Sequence, residues 1–141
     1  MIRISNIDLI EELKKNSRIS YVELAKKLGV SETAVRKKIR KLEQLGIIIK
    51  YTVEVDPKKI GYEILAIIGI DTIPEKYFKI LEELNKNNKI IKLNQCSGDH
   101  MIIIESWFKN SKDLSDFLKT LEGIEGVIKI CPAIVNEKIK Y

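Results

Sequence analysis

The stretch SYVELAKKLGVSETAVRKKIRKLEQLGIIIK, residues 20–50, predicts two short helices joined by a tight turn at Gly29. Ser20 and Glu23 have the spacing of a capping box, in which each side chain accepts a hydrogen bond from the other residue's backbone N–H. Gly29 suits the left-handed backbone that ends a helix, and Ser31 can cap the next helix two residues later. This pattern is that of a helix-turn-helix unit.

The second of these helices has one apolar and one basic face. Val35, Ile39 and Leu42 recur at helical spacing and are expected to be buried. The opposite face suits contact with a nucleic-acid backbone, and an arginine there can also read guanine. A solvated basic surface, or contact with phosphate alone, is the plainer alternative. The residues expected to contact DNA are Ser31, Thr33, Arg36, Lys37, Arg40 and Lys41.

The positive charge is concentrated in the first third of the chain. Residues 1–50 hold 12 Lys or Arg and 6 acids, whereas the remaining 91 residues hold 13 and 14. A polyanion such as double-stranded DNA is therefore attracted to the N-terminal part. With 45% apolar and 32% charged residues, a chain of 141 residues can build packed cores, and two small domains suit it better than one.

Several functional classes find no support in the sequence. The longest apolar run, Ile64–Ile70, is far below the roughly 18 residues of a membrane span, so we expect neither a membrane span nor a secretory leader. Cys96 and Cys131 are expected to be free thiols in a reducing cytoplasm. His100 is the only histidine, so we expect neither a metal site nor a cofactor.

The helix-turn-helix is flanked by further elements of an N-terminal domain, residues 1–50. Apolar residues at helical spacing predict a helix over Asn6–Lys15 that packs under the other two. Residues 47–55 have strand character before a turn signal ends the run. We interpret them as a wing or as a strand that leads out of the domain, and we assign residues 51–61 to a hinge strand or linker.

Residues 62–141 form a second domain with two similar halves, each of which reads strand, helix, strand. A βαββαβ order gives a four-stranded antiparallel sheet with both helices on one face, the ferredoxin-like arrangement, and hence an α+β protein. The last strand lies at a sheet edge in this topology, where Pro132 is tolerated. The predicted elements are strands at 62–72, 90–96, 101–108 and 127–135, a helix from Pro74, and a helix capped by Ser111 and ended by Gly123.

One face of such a sheet is left without helices. The first strand carries apolar side chains in both registers, with Leu65 and Ile67 on the side opposite Ile68 and Ile70. This pattern predicts burial of both faces and hence a homodimer formed sheet against sheet. A two-fold dimer also presents two recognition helices to the half-sites of a pseudo-palindrome.

The chain resembles archaeal members of the Lrp/AsnC, or feast/famine, transcriptional regulators in motifs that together span nearly its whole length. The motifs are SYVELAKKLGVS, ETAVRKKIRKLEQLGII, KYTVEVDPKKIG and SGDHMIII. The resemblance implies an N-terminal winged helix-turn-helix, a hinge strand, and a C-terminal ligand-sensing domain that dimerises and often assembles into octamers. It also implies control by an amino acid or a related metabolite.

The resemblance places the effector near the turn at Gly98 and Asp99, and His100 adjoins that turn. Many family members carry a second acidic residue two positions after the aspartate, whereas this chain has Met101 there. The identity of the effector therefore does not carry over. Without the resemblance, Gly98 and Asp99 form an ordinary hairpin turn.

Two alternative functions share the same sequence features. An architectural protein uses such a basic helix to bind DNA without sequence preference. A set of enzymes on the same two-domain plan decarboxylates haem precursors, but residues 51–141 contain one histidine and no arginine with which to hold an anionic tetrapyrrole. The sequence also shows no nucleophile elbow, phosphate-binding glycine loop or metal-spaced cluster. We therefore expect a DNA-binding regulator and not an enzyme.

Overall fold

The computed structural model describes residues 4–141, in which the chain forms two compact units. The first unit ends at Val53 and the second spans Glu54–Tyr141. The division lies within residues 51–61, the segment that the sequence assigns to a hinge or linker.

The first unit contains three helices, α1 (Asn6–Lys15), α2 (Tyr21–Leu28) and α3 (Glu32–Gln44), as predicted. One apolar cluster holds them together, to which α1 contributes Leu9 and α2 contributes Leu24. The apolar face of α3 is buried in this cluster through Val35, Ile39 and Leu42.

Local capping sets the turn between α2 and α3. The Ser20 hydroxyl accepts a hydrogen bond from the Glu23 N–H at 3.1 Å, and the Ser31 hydroxyl accepts one from the Ala34 N–H at 3.1 Å. Gly29 ends α2 in the left-handed conformation, with φ of 67°. A side chain at this φ is strained, which explains why a glycine stands there.

The strand predicted over residues 47–55 is not formed in the single chain. Between α3 and the sheet, the only regular element of the described chain is a 3₁₀ turn at Pro57–Ile60. A strand needs a neighbouring strand to satisfy its backbone N–H and C=O groups, and the first unit is otherwise helical. The side chains of Ile49 and Val53 are accordingly 87% and 78% exposed.

The second unit has the predicted βαββαβ order. All neighbouring strands are antiparallel, in the spatial order β2-β3-β1-β4, which places β4 and its Pro132 at an edge. The elements are β1 (Ile64–Thr72), α4 (Tyr77–Asn85), β2 (Ile90–Gln95), β3 (Ile102–Phe108), α5 (Ser111–Glu122) and β4 (Val127–Ile134).

Two helix starts differ from the prediction. The cap of α5 is Asn110 rather than Ser111, because the Asn110 side-chain oxygen accepts the Asp113 N–H at 2.9 Å. Asparagine is among the best N-cap residues, so it takes the capping position and Ser111 becomes the first helical residue. Pro74 opens a short 3₁₀ turn, and the α-helix itself begins at Tyr77.

The sheet has one face covered by helices and one open face. Ala66, Ile68 and Ile70 of β1 are completely buried in the core. Residues of the opposite register, among them Leu65, Ile67, Gly69 and Asp71 of β1, form the open face, and Ile67 is 40% exposed there. The double-sided burial predicted for β1 is therefore not completed within one chain.

Candidate DNA interface and effector turn

The basic face of α3 forms an exposed, shallow concavity on the first unit. The burial of Val35, Ile39 and Leu42 fixes which side of the helix turns outward. Five of the six residues predicted to contact DNA lie together on this face. The concavity is lined by Thr33, Arg36, Lys37, Arg40, Lys41 and Gln44.

Gln44 is the one lining residue that the sequence reasoning missed. It stands one helical turn after Arg40 at i+4, so it continues the same stripe to the end of α3. Its amide has both donors and an acceptor, which suits it to a base edge or a phosphate. The i+4 spacing of Gln44 from Arg40 was enough to predict that Gln44 lies on this face.

Arg36 is held by two neighbours before any ligand is bound. Its Nη2 atom lies 3.1 Å from Glu32 Oε1, one turn earlier on α3. Its guanidinium carbon lies 4.6 Å from the centre of the Tyr21 ring on α2. Arg36 and Glu32 side chains are about half exposed, so the ion pair itself adds little stability, and its main effect is on where the guanidinium points.

The remaining cations of the face are differently placed. Among the described residues, no salt bridge engages Lys37, Arg40 or Lys41, and all three are exposed. Ser31 lies outside the concavity and its hydroxyl oxygen caps α3. Its hydroxyl hydrogen is left free to donate to a phosphate at the helix N-terminus.

In the second unit, the turn between β2 and β3 contains Gly98 and Asp99, both of which are exposed. Gly98 has φ of 121°, a conformation that favours glycine. The N–H of Cys96 donates to the carbonyl of Met101 at 2.8 Å and closes the turn.

His100 does not extend from the turn into solvent. Its Nδ1 atom lies 3.0 Å from Asp71 Oδ2, and Asp71 Oδ1 accepts the Met101 N–H at 3.0 Å. The hydrogen bond from His100, followed by that from the Met101 N–H, lowers the pKa of Asp71 despite the opposing effect of burial. Sequence reasoning did not single out Asp71, although a lone charged residue at the end of an apolar strand indicates a candidate functional residue.

Metal-binding clusters and membrane-spanning helices are not found in the part of the chain that the structure describes. Residues 4–141 contain no group of three or more His, Cys, Asp or Glu side chains placed to hold a metal ion. Within the same residues, every helix is too short or too polar to cross a bilayer. Cys96 and Cys131 are both free thiols.

Known proteins resemble the chain over its N-terminal unit and over its whole length. A family model described as winged helix-turn-helix DNA-binding matches residues 3–49. The HTH-type transcriptional regulator LrpA of Pyrococcus horikoshii is 47% identical over 133 residues, which cover 94% of both chains. Because this relative is named as a transcriptional regulator, the decarboxylase alternative is set aside.

Solved structures share the fold. AsnC of Escherichia coli matches 99% of this chain and 97% of its own, with a TM-score of 0.85 and 27% identity. A transcriptional regulator in complex with L-Met, from Neisseria meningitidis, matches 100% of this chain and 94% of its own, with a TM-score of 0.88 and 19% identity, a likeness of fold alone. The sequence identity, the shared fold and the basic helix α3 show that the chain belongs to the Lrp/AsnC family of DNA-binding transcriptional regulators.

Proposed function

We propose that this regulator binds pseudo-palindromic promoter DNA as a homodimer or higher oligomer, and that an amino acid or related metabolite modulates this binding. The observation that carries the proposal is the outward face of α3, where exposed cations line one concavity while the opposite face is locked into the core. A recognition helix of this kind enters the major groove with its N-terminal residues on the base edges.

The contact residues divide into two roles. Arg36 and Arg40 suit bidentate hydrogen bonds to guanine, each worth about 1–3 kcal/mol of discrimination against other bases, and Thr33 can contact a base edge or a thymine methyl group. Lys37 and Lys41 present mobile point charges, which suit phosphates. The hydroxyl of Ser31 is assigned to a phosphate as well.

Dimerisation is supported by apolar surface that one chain leaves exposed. The open face of the sheet presents Ile67 to solvent, and residues 47–55 have strand character without a partner strand. A second copy of the chain can cover the open face of the sheet, and it can also supply a partner strand for residues 47–55. The octamer is proposed from the family resemblance, and a cytoplasmic location follows from the proposed role on promoter DNA.

The turn at Gly98 and Asp99 is the proposed effector site, to which His100 contributes. The Asp99 carboxylate is exposed and can accept a hydrogen bond from the ammonium group of an amino acid, while the exposed turn at Gly98 allows a ligand to approach the backbone. The L-Met complex of the Neisseria protein supports an amino acid as the class of ligand. Effector and DNA affinities are then coupled reciprocally, because each favours one state of the assembly.

The proposal is tested by selecting bound fragments from sheared genomic DNA at moderate salt, with and without a pool of amino acids. A two-fold motif among the selected fragments is the expected result, and a change of the enriched fragments with the pool supports the effector. Uniform recovery without a motif contradicts sequence-specific binding and favours the architectural alternative. An unchanged motif with the pool contradicts the effector alone.

A further inference from the structure

On the open face of the sheet, the His100 ring lies directly over the backbone of Gly69. A Cβ atom added at position 69 stands 2.4 Å from His100 Cδ2, 2.5 Å from Cγ and 2.8 Å from Nε2. No side chain can occupy this space while the ring stays in place. The absence of a side chain in the middle of β1 therefore creates the seat that the histidine fills.

Asp71, two residues further along the same face, fixes the ring in that seat. One carboxylate oxygen bonds His100 Nδ1 and the other accepts the Met101 backbone N–H, each at 3.0 Å. A single side chain thus holds two successive residues of the turn. The side chains of Asp71 and His100 are only 16% and 24% exposed, which strengthens both hydrogen bonds relative to water.

These contacts determine the geometry of the turn from its C-terminal end. Met101 is held by Asp71 through its N–H, and its carbonyl accepts the Cys96 N–H at 2.8 Å. Gly98 and Asp99 lie between these two anchored ends and make no side-chain hydrogen bond of their own among the described residues. Their position therefore depends on the contacts of β1.

We propose that Gly69 and Asp71 are positioning residues, which seat His100 on β1 and thereby hold Gly98 and Asp99 in the conformation that receives the effector. The effector part of this inference rests on the proposed function, whereas the anchoring of the turn does not. Neither residue is assigned a contact with the ligand, and His100 acts through its seat on the sheet.

The other ionisable groups near the pair leave this arrangement intact. Lys129 of β4 stands opposite Asp71 on the same face and, like His100, lowers the pKa of that carboxyl. Cys131 of β4 stands opposite Gly69, and Asp99 precedes the histidine. Because an Nδ1–H can donate to Asp71 in both the neutral and the protonated ring, the anchor does not require a charged histidine.

Two substitutions remove the anchor by unrelated means. Gly69→Ala blocks the seat but leaves the carboxylate, and Asp71→Ala removes the carboxylate but leaves the seat. Gly123→Ala is the matched control, because a Cβ there meets only backbone oxygens at 3.5 and 3.6 Å, which is ordinary contact. If Asp71→Ala does not fold, Asp71→Leu replaces it, since it keeps most of the volume and has no hydrogen-bond acceptor.

The test compares amide hydrogen exchange at Cys96 and the NMR shifts of Gly98 and Asp99 in the full-length variants. We expect roughly tenfold faster exchange at Cys96 in both anchor variants, together with shifted Gly98 and Asp99 signals, while amides in the middle of β3 are unchanged. Gly123→Ala should match the wild type. Wild-type exchange and shifts in both anchor variants overturn the proposal.

A second readout separates this inference from the proposed function. Binding of a pool of L-amino acids should weaken by about tenfold in the anchor variants relative to the wild type and Gly123→Ala, measured on preparations that sedimentation velocity shows to have the wild-type oligomeric state. Effector affinity that is unchanged in both variants contradicts the role of the anchor. If the wild type binds no amino acid, the effector proposal fails, and the exchange measurement alone decides whether Gly69 and Asp71 hold the turn.

Discussion

The guanidinium of Arg36 lies 4.6 Å from the centre of the Tyr21 ring, so the first helix of the helix-turn-helix orients a side chain of the second that we propose reads a base. Glu32 contacts the same guanidinium, with its Oε1 atom 3.1 Å from Arg36 Nη2. Arg40, by contrast, makes no salt bridge within the described residues. The side chains of the two arginines of α3 are therefore constrained to different degrees before any DNA is bound.

Replacing Arg36 should affect sequence preference, whereas replacing Lys41 should affect affinity for all DNA. Arg36→Ala should lose about 1–3 kcal/mol of discrimination between the selected motif and a scrambled site. Lys41→Ala should weaken binding to both and reduce the slope of log affinity against log salt by about one. Fluorescence anisotropy over a salt series measures both quantities, and equal effects of both variants on all sequences would exclude α3 as the reading helix.

The contact between Tyr21 and Arg36 should be measurable as a coupling energy. Tyr21→Leu should weaken binding to the motif by about 0.5–1 kcal/mol, because the guanidinium loses the aromatic face that orients it. Tyr21→Phe is the control, since it keeps that face. In the Arg36→Ala background, Tyr21→Leu should cause no further loss, and an undiminished loss there shows that Tyr21 acts through packing alone.

The cap at Ser31 should be a source of stability for the first unit. Ser31→Ala should lower the free energy of unfolding by about 1 kcal/mol, because the Ala34 N–H then loses its acceptor. Urea denaturation monitored by circular dichroism measures the loss. The control is Ser17→Ala, because Ser17 is exposed and makes no side-chain hydrogen bond among the described residues. Equal midpoints for the two variants contradict a stabilising cap.

The open face of the sheet should carry the dimer interface. Ile67→Asp places a charge where one protomer is proposed to meet the other and should convert the dimer into monomers. Phe78→Asp is the control, because Phe78 is 76% exposed on α4, a helix that covers the opposite face of the sheet. Sedimentation velocity distinguishes a dimer from a monomer, and a dimer that survives Ile67→Asp contradicts the sheet-to-sheet arrangement.

The hydrogen bonds to Asp71 should make stability depend on acidic pH. Because these bonds lower its pKa from the ordinary value of 3.8, the folded state favours the carboxylate. Its contribution is complete above pH values near 3.8 and is lost as the pH falls through the lower pKa of the folded state. Thermal unfolding between pH 7 and about pH 2 should show a shallower acid loss for Asp71→Asn than for the wild type. The control, Asp116→Asn, removes an exposed acid of α5 and should keep the wild-type slope.

Local signals allowed most of the fold to be predicted. Ser20, Gly29 and Ser31 satisfy backbone groups within a few residues, so their roles are visible in the sequence. Hydrophobic spacing identified the buried face of α3 and, by exclusion, the basic face. At the start of α5 the prediction named Ser111 as the cap, which was wrong by one residue, because hydrophobic spacing does not fix a helix start to a single position.

Features that depend on distant residues were not predictable in the same way. The run at residues 47–55 has strand propensity, but a strand forms only where a partner exists, and the single chain offers none. Asp71 and His100 are 29 positions apart in the sequence and meet only because β1 and β3 are neighbours in the sheet. The register that brings them together cannot be derived from either residue alone.

If the open face of the sheet is where two copies meet, the cellular concentration of this protein affects its function. If two copies must cover that face before two recognition helices can bind one site together, occupancy rises with more than the first power of protein concentration at low expression. In that case, dilution by cell growth without new synthesis weakens binding to the target promoters even when no metabolite changes. Under the proposed dimerisation, the uncovered apolar surface makes promoter occupancy depend on how abundant the regulator is.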